Sequence, residues 1–179
     1  MSAPTRCLLD KVVARRMVEG LLRVSEGGRL SIQELFAVDL LYRSPQRQIQ
    51  LFITPASKHV LDLLQIMPRY SAVIRVFLSR TAGIFPTRYF TRWSRRLREI
   101  GFTPEDARVL ALASFGSGEA RDIIGMQWVA TYDQPMINLW TLDHAAIEKR
   151  LKAMRDQLPS PYHQASLPKV TKPELIVPE

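Results

Sequence analysis

The stretch RCLLDKVVARRMVEGLLRV, residues 6–24, decides the fold of this chain. Its first five residues form a short apolar run that ends in Asp10, as in a buried strand. From Lys11 onward, apolar side chains recur along one helical stripe, at Val13, Met17, Leu21 and Val24. A buried strand that leads directly into an amphipathic helix is the unit from which α/β proteins are built.

The same alternation of strand and helix continues along the chain. We predict further strands over residues 49–54 and 127–131 and short strands over residues 82–85 and 136–140. The helices predicted by apolar spacing and by start and stop signals cover residues 31–43, 57–66, 69–80, 87–100, 103–113 and 143–157. This order predicts a three-layer α/β/α sandwich with a mostly parallel central sheet.

The length and composition predict one folded domain. The chain has 179 residues, of which 46% are apolar and 23% charged, so wholesale disorder and fibrous repeats are excluded. We place the domain at residues 1–157. Residues 158–179 are rich in proline and poor in large apolar side chains, so we expect an extended or disordered tail there.

The charge balance and the cysteine content narrow the class of protein further. There are 25 lysines and arginines against 17 acids, and the net charge of +8 attracts polyanions, nucleic acid first, although it can also serve solubility alone. The single cysteine, Cys7, excludes a disulfide scaffold or a zinc knuckle and is expected to be a reduced core thiol in a cytoplasmic protein. No stretch approaches the roughly 18 uncharged apolar residues of a membrane span, so we expect no membrane insertion.

Three aspartates are predicted to meet at one edge of the sheet. Asp10 and Asp133 each follow directly after a predicted strand, and Asp106 opens a predicted helix. Ligands of parallel sheets bind where the strands end, and carboxylates that converge there repel each other unless a divalent cation lies among them. Mg²⁺ or Mn²⁺ prefers such oxygen ligands and can activate a water for attack on a phosphodiester.

Each of these acids also has a structural explanation when it is taken alone. Asp106 lies three residues after Thr103 and approximates a capping box, while Asp10 can cap the first helix. Asp133 can form an Asx-turn before Pro135. An unrelated α/β protein, in which the three acids only cap helices and turns, therefore stays open as an alternative.

Taken together and in this order, three segments resemble the PIN domain family. They are LLD at residues 8–10, GFTPEDARVLALASFG at residues 101–116 and VATYD at residues 129–133. The resemblance covers residues 5–155 and implies an α/β/α sandwich around a parallel sheet. Many members of the family are Mg²⁺- or Mn²⁺-dependent ribonucleases, so the resemblance implies a hydrolase that cleaves RNA.

The resemblance also implies roles for particular residues and partners. Asp10, Asp106 and Asp133 match the acids that hold the metal in the family, and Thr131 matches a threonine that supports the site. The best populated branch of the family comprises toxins of bacterial toxin–antitoxin pairs. That likeness implies an antitoxin-like protein partner and a homodimer, in the cytoplasm.

The chain departs from the family pattern around this site. Where the family has Asp-Thr-Asn after the first strand, this chain has Lys11 and Val12 after the aspartate. The family's second acid is a glutamate beyond the second strand; here Asp62 is the candidate nearest that place, and Glu34 precedes the strand. These departures leave open a second function, in which a PIN-like domain without catalysis binds RNA or a protein.

Two further features of the sequence bear on this function. The separation between Asp106 and Asp133 is longer than is common in the family, which predicts an insertion around residues 116–125. Arginines alternate with aromatic residues in the fifth predicted helix, and we expect the aromatic residues to be buried. The arginines that are candidates for contact with RNA are Arg88, Arg92, Arg95 and Arg96. Simple solvation of a charged face is the other explanation.

Overall fold

The computed structural model describes residues 4–118 and 125–177. The strands in this part of the chain are β1 Thr5–Leu9, β2 Ile49–Ile53, β3 Thr81–Gly83, β4 Phe85–Pro86, β5 Gly116–Ser117, β6 Trp128–Ala130 and β7 Lys169–Thr171. The helices are α1 Lys11–Ser25, α2 Ile32–Arg43, α3 Pro55–Gln65, α4 Pro68–Leu78, α5 Phe90–Ile100, α6 Pro104–Phe115, α7 Gln134–Leu142 and α8 His144–Arg155, with 3-10 turns at Tyr162–Gln164 and Pro173–Leu175. Residues 119–124 of the expected insertion lie outside the described residues.

Five of these strands form one parallel sheet with β1 at its centre. The strand order is β3-β2-β1-β6-β7, and every neighbouring pair is parallel. Strands β4 and β5 form a separate antiparallel pair. Cys7, Leu8 and Leu9 of the central strand are all 0% exposed, which explains why β1 is an unbroken apolar run. The predicted reduced core thiol fits this burial of Cys7.

Helices cover both faces of this sheet and create two apolar cores. Leu8 points into a core built mainly from α5, α6, α7 and α8. Cys7 and Leu9, on the opposite face of the same strand, point into a core built from α1, α2, α3 and α4. The predicted three-layer α/β/α sandwich is confirmed. Within residues 4–118 and 125–177, no helix is long and apolar enough to cross a membrane.

Several predicted helix ends are confirmed by their capping geometry. Ser31 and Glu34 form the reciprocal capping box of α2. Thr103 caps α6, its hydroxyl oxygen accepting the Asp106 N–H at 3.2 Å. Helix α5 ends at Gly101, whose φ of +123° belongs to a conformation that glycine adopts without steric cost.

Two local predictions are wrong. Residues 136–140 belong to α7 and not to an edge strand, because Asp133 caps this helix and Pro135 lies in its first turn. The fifth predicted helix does not begin at Thr87, whose hydroxyl donates to the Phe115 carbonyl oxygen at 2.7 Å. Because this hydrogen bond occupies its side chain, Thr87 does not cap α5, which begins at Phe90.

Residues 158–177 are part of the fold, so the expectation of an extended or disordered tail is corrected for them. Strand β7 pairs with β6 at the edge of the central sheet. Ala165, Val170 and Ile176 are buried, at 0%, 8% and 1% exposure. The prolines are compatible with this order because Pro168 and Pro173 flank the strand and do not interrupt it.

The substitution Ile176→Ala tests the packing of this C-terminal segment. Because Ile176 is 1% exposed, its truncation should lower the free energy of unfolding by about 2–5 kcal/mol. The neighbouring Leu175 is 60% exposed, so Leu175→Ala should change that free energy by less than about 0.5 kcal/mol. Urea denaturation of both variants measures the difference. Equal, small effects would show that the segment does not pack on the domain in solution.

Candidate functional site

Asp10 lies at the end of the central strand and caps helix α1. Its side chain is only 7% exposed. The Oδ1 atom accepts the Lys11 N–H at 2.6 Å, and the Oδ2 atom accepts the Thr131 hydroxyl at 2.9 Å. Both carboxylate oxygens therefore have a donor, one from the first residue of α1 and one from the residue that follows β6.

Thr131 connects Asp10 to Asp133. It directly follows β6 and is 0% exposed. While its hydroxyl donates to Asp10, its oxygen accepts the Asp133 N–H at 3.0 Å. Asp133 in turn caps α7, with its Oδ1 accepting the Met136 N–H at 2.9 Å. A chain of hydrogen bonds thus joins the ends of β1 and β6.

Asp106 comes to the same edge of the sheet from the first turn of α6. Burial raises the pKa of its carboxyl group, and repulsion from Asp133 and Glu105 adds to that effect. Burial also raises the pKa of Asp10, with repulsion from Asp106 and Glu105 acting in the same direction. Asp106 therefore lies close enough to Asp10 and to Asp133 for repulsion from each of them. Their roles as catalytic residues and metal ligands stay a prediction.

Lys11 and Glu105 form an ion pair at the rim of this site. The Lys11 Nζ lies 2.5 Å from the Glu105 Oε1, and both side chains are exposed. The hydrogen bond with Glu105 raises the pKa of Lys11, so the lysine is fully charged at neutral pH. In the sequence, Glu105 is explained by the helix dipole, which favours an acid in the first turn of α6. Its position next to Asp106 is the local feature that indicates a further role.

The donor chemistry of this edge suits a hard cation. Within residues 4–118 and 125–177, no group of three His, Cys, Asp or Glu side chains is arranged to hold a metal ion. Mg²⁺, however, keeps several waters in proteins and takes one or two carboxylates together with substrate phosphates. Asp10 and Asp106 offer such carboxylates, and a bound cation would relieve the repulsion that raises their pKa values.

The structure does not bring Asp62 to this site. Asp62 is exposed on α3, where its two carboxylate oxygens lie 3.0 and 2.8 Å from the Lys58 Nζ. The expectation that it completes the site is therefore corrected. Glu34 also serves the fold: it accepts the Ser31 N–H at 2.8 Å and pairs with Arg23 at 2.8 Å. Burial alone would raise the pKa of Glu34, but these partners lower it.

The four arginines predicted to contact RNA are all exposed; Arg88 precedes α5, and the other three lie on it. The Arg88 guanidinium lies over the Tyr89 ring, 5.7 Å from its centroid. Arg92 and Arg96 line a cleft between α5 and α8, whereas Arg95 does not. Trp93 is 0% exposed, and Tyr89 and Phe90 pack against the same core, so the prediction that these aromatic residues are buried is confirmed for Trp93 and in part for the other two.

Comparisons with known proteins were made at the level of family models, curated sequences and solved structures. None of the three gives a match. The likeness to the PIN domain family therefore stays a prediction that rests on this chain's own segments.

The raised pKa of Asp10 predicts a gain in stability for Asp10→Asn. In the folded protein the ionised form of Asp10 is disfavoured by burial, so ionisation costs more than in the unfolded chain. Asn removes that cost and still caps α1 well. In EDTA at pH 7 we expect Asp10→Asn to have a higher Tm than the natural protein. The gain should shrink as the pH falls through the raised pKa and vanish below the ordinary value of 3.8.

The control for this measurement is Asp62→Asn. It removes an equal charge from an exposed ion pair, so its effect should stay within about 0.5 kcal/mol across the same pH range. If Asp10→Asn instead lowers the Tm at pH 7, the assigned environment of Asp10 is wrong.

Proposed function

We propose that this protein is a metal-dependent, PIN-like endoribonuclease that hydrolyses RNA phosphodiester bonds where β1 and β6 end. The observation that carries the proposal is the convergence of Asp10, Asp106 and Asp133 at the carboxyl edge of an all-parallel sheet, with the pKa values of two of them raised. Carboxylates held in such an unfavourable arrangement are typical of functional sites. A net charge of +8 suits a polyanionic substrate.

Each residue of the site has a definite part in this proposal. Asp10 and Asp106 would hold Mg²⁺ or Mn²⁺, an ion that acidifies a bound water and offsets charge on the phosphodiester in the transition state. Thr131 would keep Asp10 ionised and correctly oriented, because its hydroxyl donates to Oδ2. Asp133 has its Oδ1 held by the Met136 N–H, which leaves Oδ2 to bind the cation or to accept a proton from the attacking water.

The partners that belong to this proposal come from the toxin-type branch that the sequence resembles. They are RNA as substrate, an antitoxin-like protein and a second copy of the chain, all in the cytoplasm. Exposed apolar side chains on α3 and the turn after it support a contact with a protein. These are Val60, Leu63, Ile66 and Met67, which are 53%, 57%, 81% and 50% exposed.

The second candidate function is a PIN-like module that binds RNA or a protein without cleaving RNA. The Lys11 ammonium group favours it, because its charge attracts Asp10 and Asp106 and so competes with a metal ion. Binding of RNA by such a module would weaken with salt and would need no divalent cation.

Cleavage of a labelled single-stranded RNA of mixed sequence tests the proposal. With Mn²⁺ or Mg²⁺ we expect cleavage, and EDTA should abolish it. Asp106→Asn and Asp133→Asn should lower the rate by at least about 100-fold, and Thr131→Val by about 10- to 100-fold. Asp62→Asn makes the same change of charge away from the site, so it should keep full activity.

The variants also separate the proposal from its alternatives. Equal cleavage by the natural protein and by both aspartate variants would reveal a contaminating nuclease and contradict the assignment. Binding of RNA with no cleavage in either metal would favour the second candidate function.

A further inference from the structure

A basic cleft with a volume of about 180 Å³ opens between α5 and α8. These helices belong to the layer of the sandwich that also contains α6 and Asp106. The residues that line the cleft are Arg92, Arg96, Arg150, Ala153, Met154 and Gln157. The sequence indicates Arg92 and Arg96 as candidates for contact with RNA, and in the structure Arg150 of α8 lines the same cleft.

The charges around this cleft are not balanced. Arg92 and Arg96 lie one turn apart on α5, where like charges repel, and Arg150 adds a third guanidinium group. Glu99 is the acid that contacts them: its Oε2 lies 3.1 Å from Arg96 Nη1 and 3.3 Å from Arg150 Nη1. Arg92 forms no hydrogen bond or ion pair with another described residue. The residues that line the cleft therefore include three arginines and no acid, and Glu99 contacts two of these arginines.

Glu99 holds two of the arginines in position and uses only one nitrogen of each. Arg96 and Arg150 each use one nitrogen on the shared carboxylate, and a guanidinium group has five N–H donors. Held in this way, both lose less freedom when a ligand binds. Guanidinium groups match the oxygens of a phosphate in pairs, so the donor set suits a phosphate better than a carboxylate or a metal.

We propose that this cleft binds a backbone phosphate of single-stranded RNA, with Arg92, Arg96 and Arg150 donating to its oxygens. The choice of RNA rests on the proposed function, whereas binding of the phosphate needs no metal. The position of the cleft fits a substrate that extends toward the acids. Arg92 lies eight residues before Ile100, about 12 Å along the helix axis, and α6 begins at Pro104 just beyond. RNA bound in the cleft can therefore run along α5 toward Asp106.

Binding of a fluorescein-labelled single-stranded RNA, followed by anisotropy in EDTA, tests this cleft without cleavage. Arg150→Gln and Arg92→Gln should each weaken binding roughly tenfold at low salt. Each should also reduce the slope of log K against log salt by about 0.7, the value for one lost phosphate contact on a single strand. Arg150→Lys keeps the charge but loses the paired donors, so it should recover only part of the affinity.

The matched control is Arg75→Gln, which removes the same charge from an exposed position on α4 in the opposite layer. Its affinity and salt slope should change less than those of Arg150→Gln and Arg92→Gln. Equal effects of all three substitutions would contradict the proposed phosphate site. Failure of the natural protein to bind RNA at low salt would contradict it as well. The substituted arginines are exposed, so circular dichroism should show an unchanged fold.

Cleavage in Mn²⁺ keeps this test separate from that of the proposed function. If Arg150→Gln weakens binding but the natural protein does not cleave, the cleft stands and the nuclease proposal fails. If the natural protein cleaves RNA and its affinity for RNA is unchanged by Arg150→Gln and Arg92→Gln, the nuclease proposal stands and the proposal for the cleft fails.

Discussion

The hydrogen bond from the Thr131 hydroxyl to Asp10 Oδ2 is the interaction on which the candidate site depends. Asp10 is a buried carboxylate, and without Thr131 its one remaining hydrogen-bond donor in the described structure would be the Lys11 N–H. The same threonine accepts the N–H of Asp133 and so directs the chain as it enters α7. One buried hydroxyl thus fixes two of the three acids relative to each other, across two neighbouring strands of the sheet.

This arrangement lowers the stability of the domain locally. Burial and mutual repulsion disfavour the ionised forms of Asp10 and Asp106, and the pair of Lys11 with Glu105 is too exposed to offset much of that effect. The sheet tolerates this unfavourable electrostatic free energy because β1 is buried on both faces by two separate cores.

The sequence predicted what local patterns determine. The β1–α1 unit follows from one apolar run and one helical stripe, and the common edge for the acids follows from the rule that parallel strands end together. Strand β7 could not be found in this way, because three residues pair with β6 about forty residues earlier in the chain. The four apolar residues among 136–140 have no decisive period, so the cap at Asp133 decides that this segment is a helix. The contact of Arg150 with Glu99 joins distant helices and leaves no local signal.

In the proposed function, the acids and the arginines of the cleft would meet two different electrostatic requirements. A cluster of acids repels RNA, so a nuclease built on it needs attraction from elsewhere on the same surface. Lys11 adds little to that attraction, because it is paired with Glu105 and lies beside Asp10 and Asp106. The arginines of α5 and α8 can, since they outnumber the acid that contacts them and belong to the layer that carries Asp106. In the proposed function the arginines would thus attract the RNA, while the acids would bind the cation in competition with Lys11.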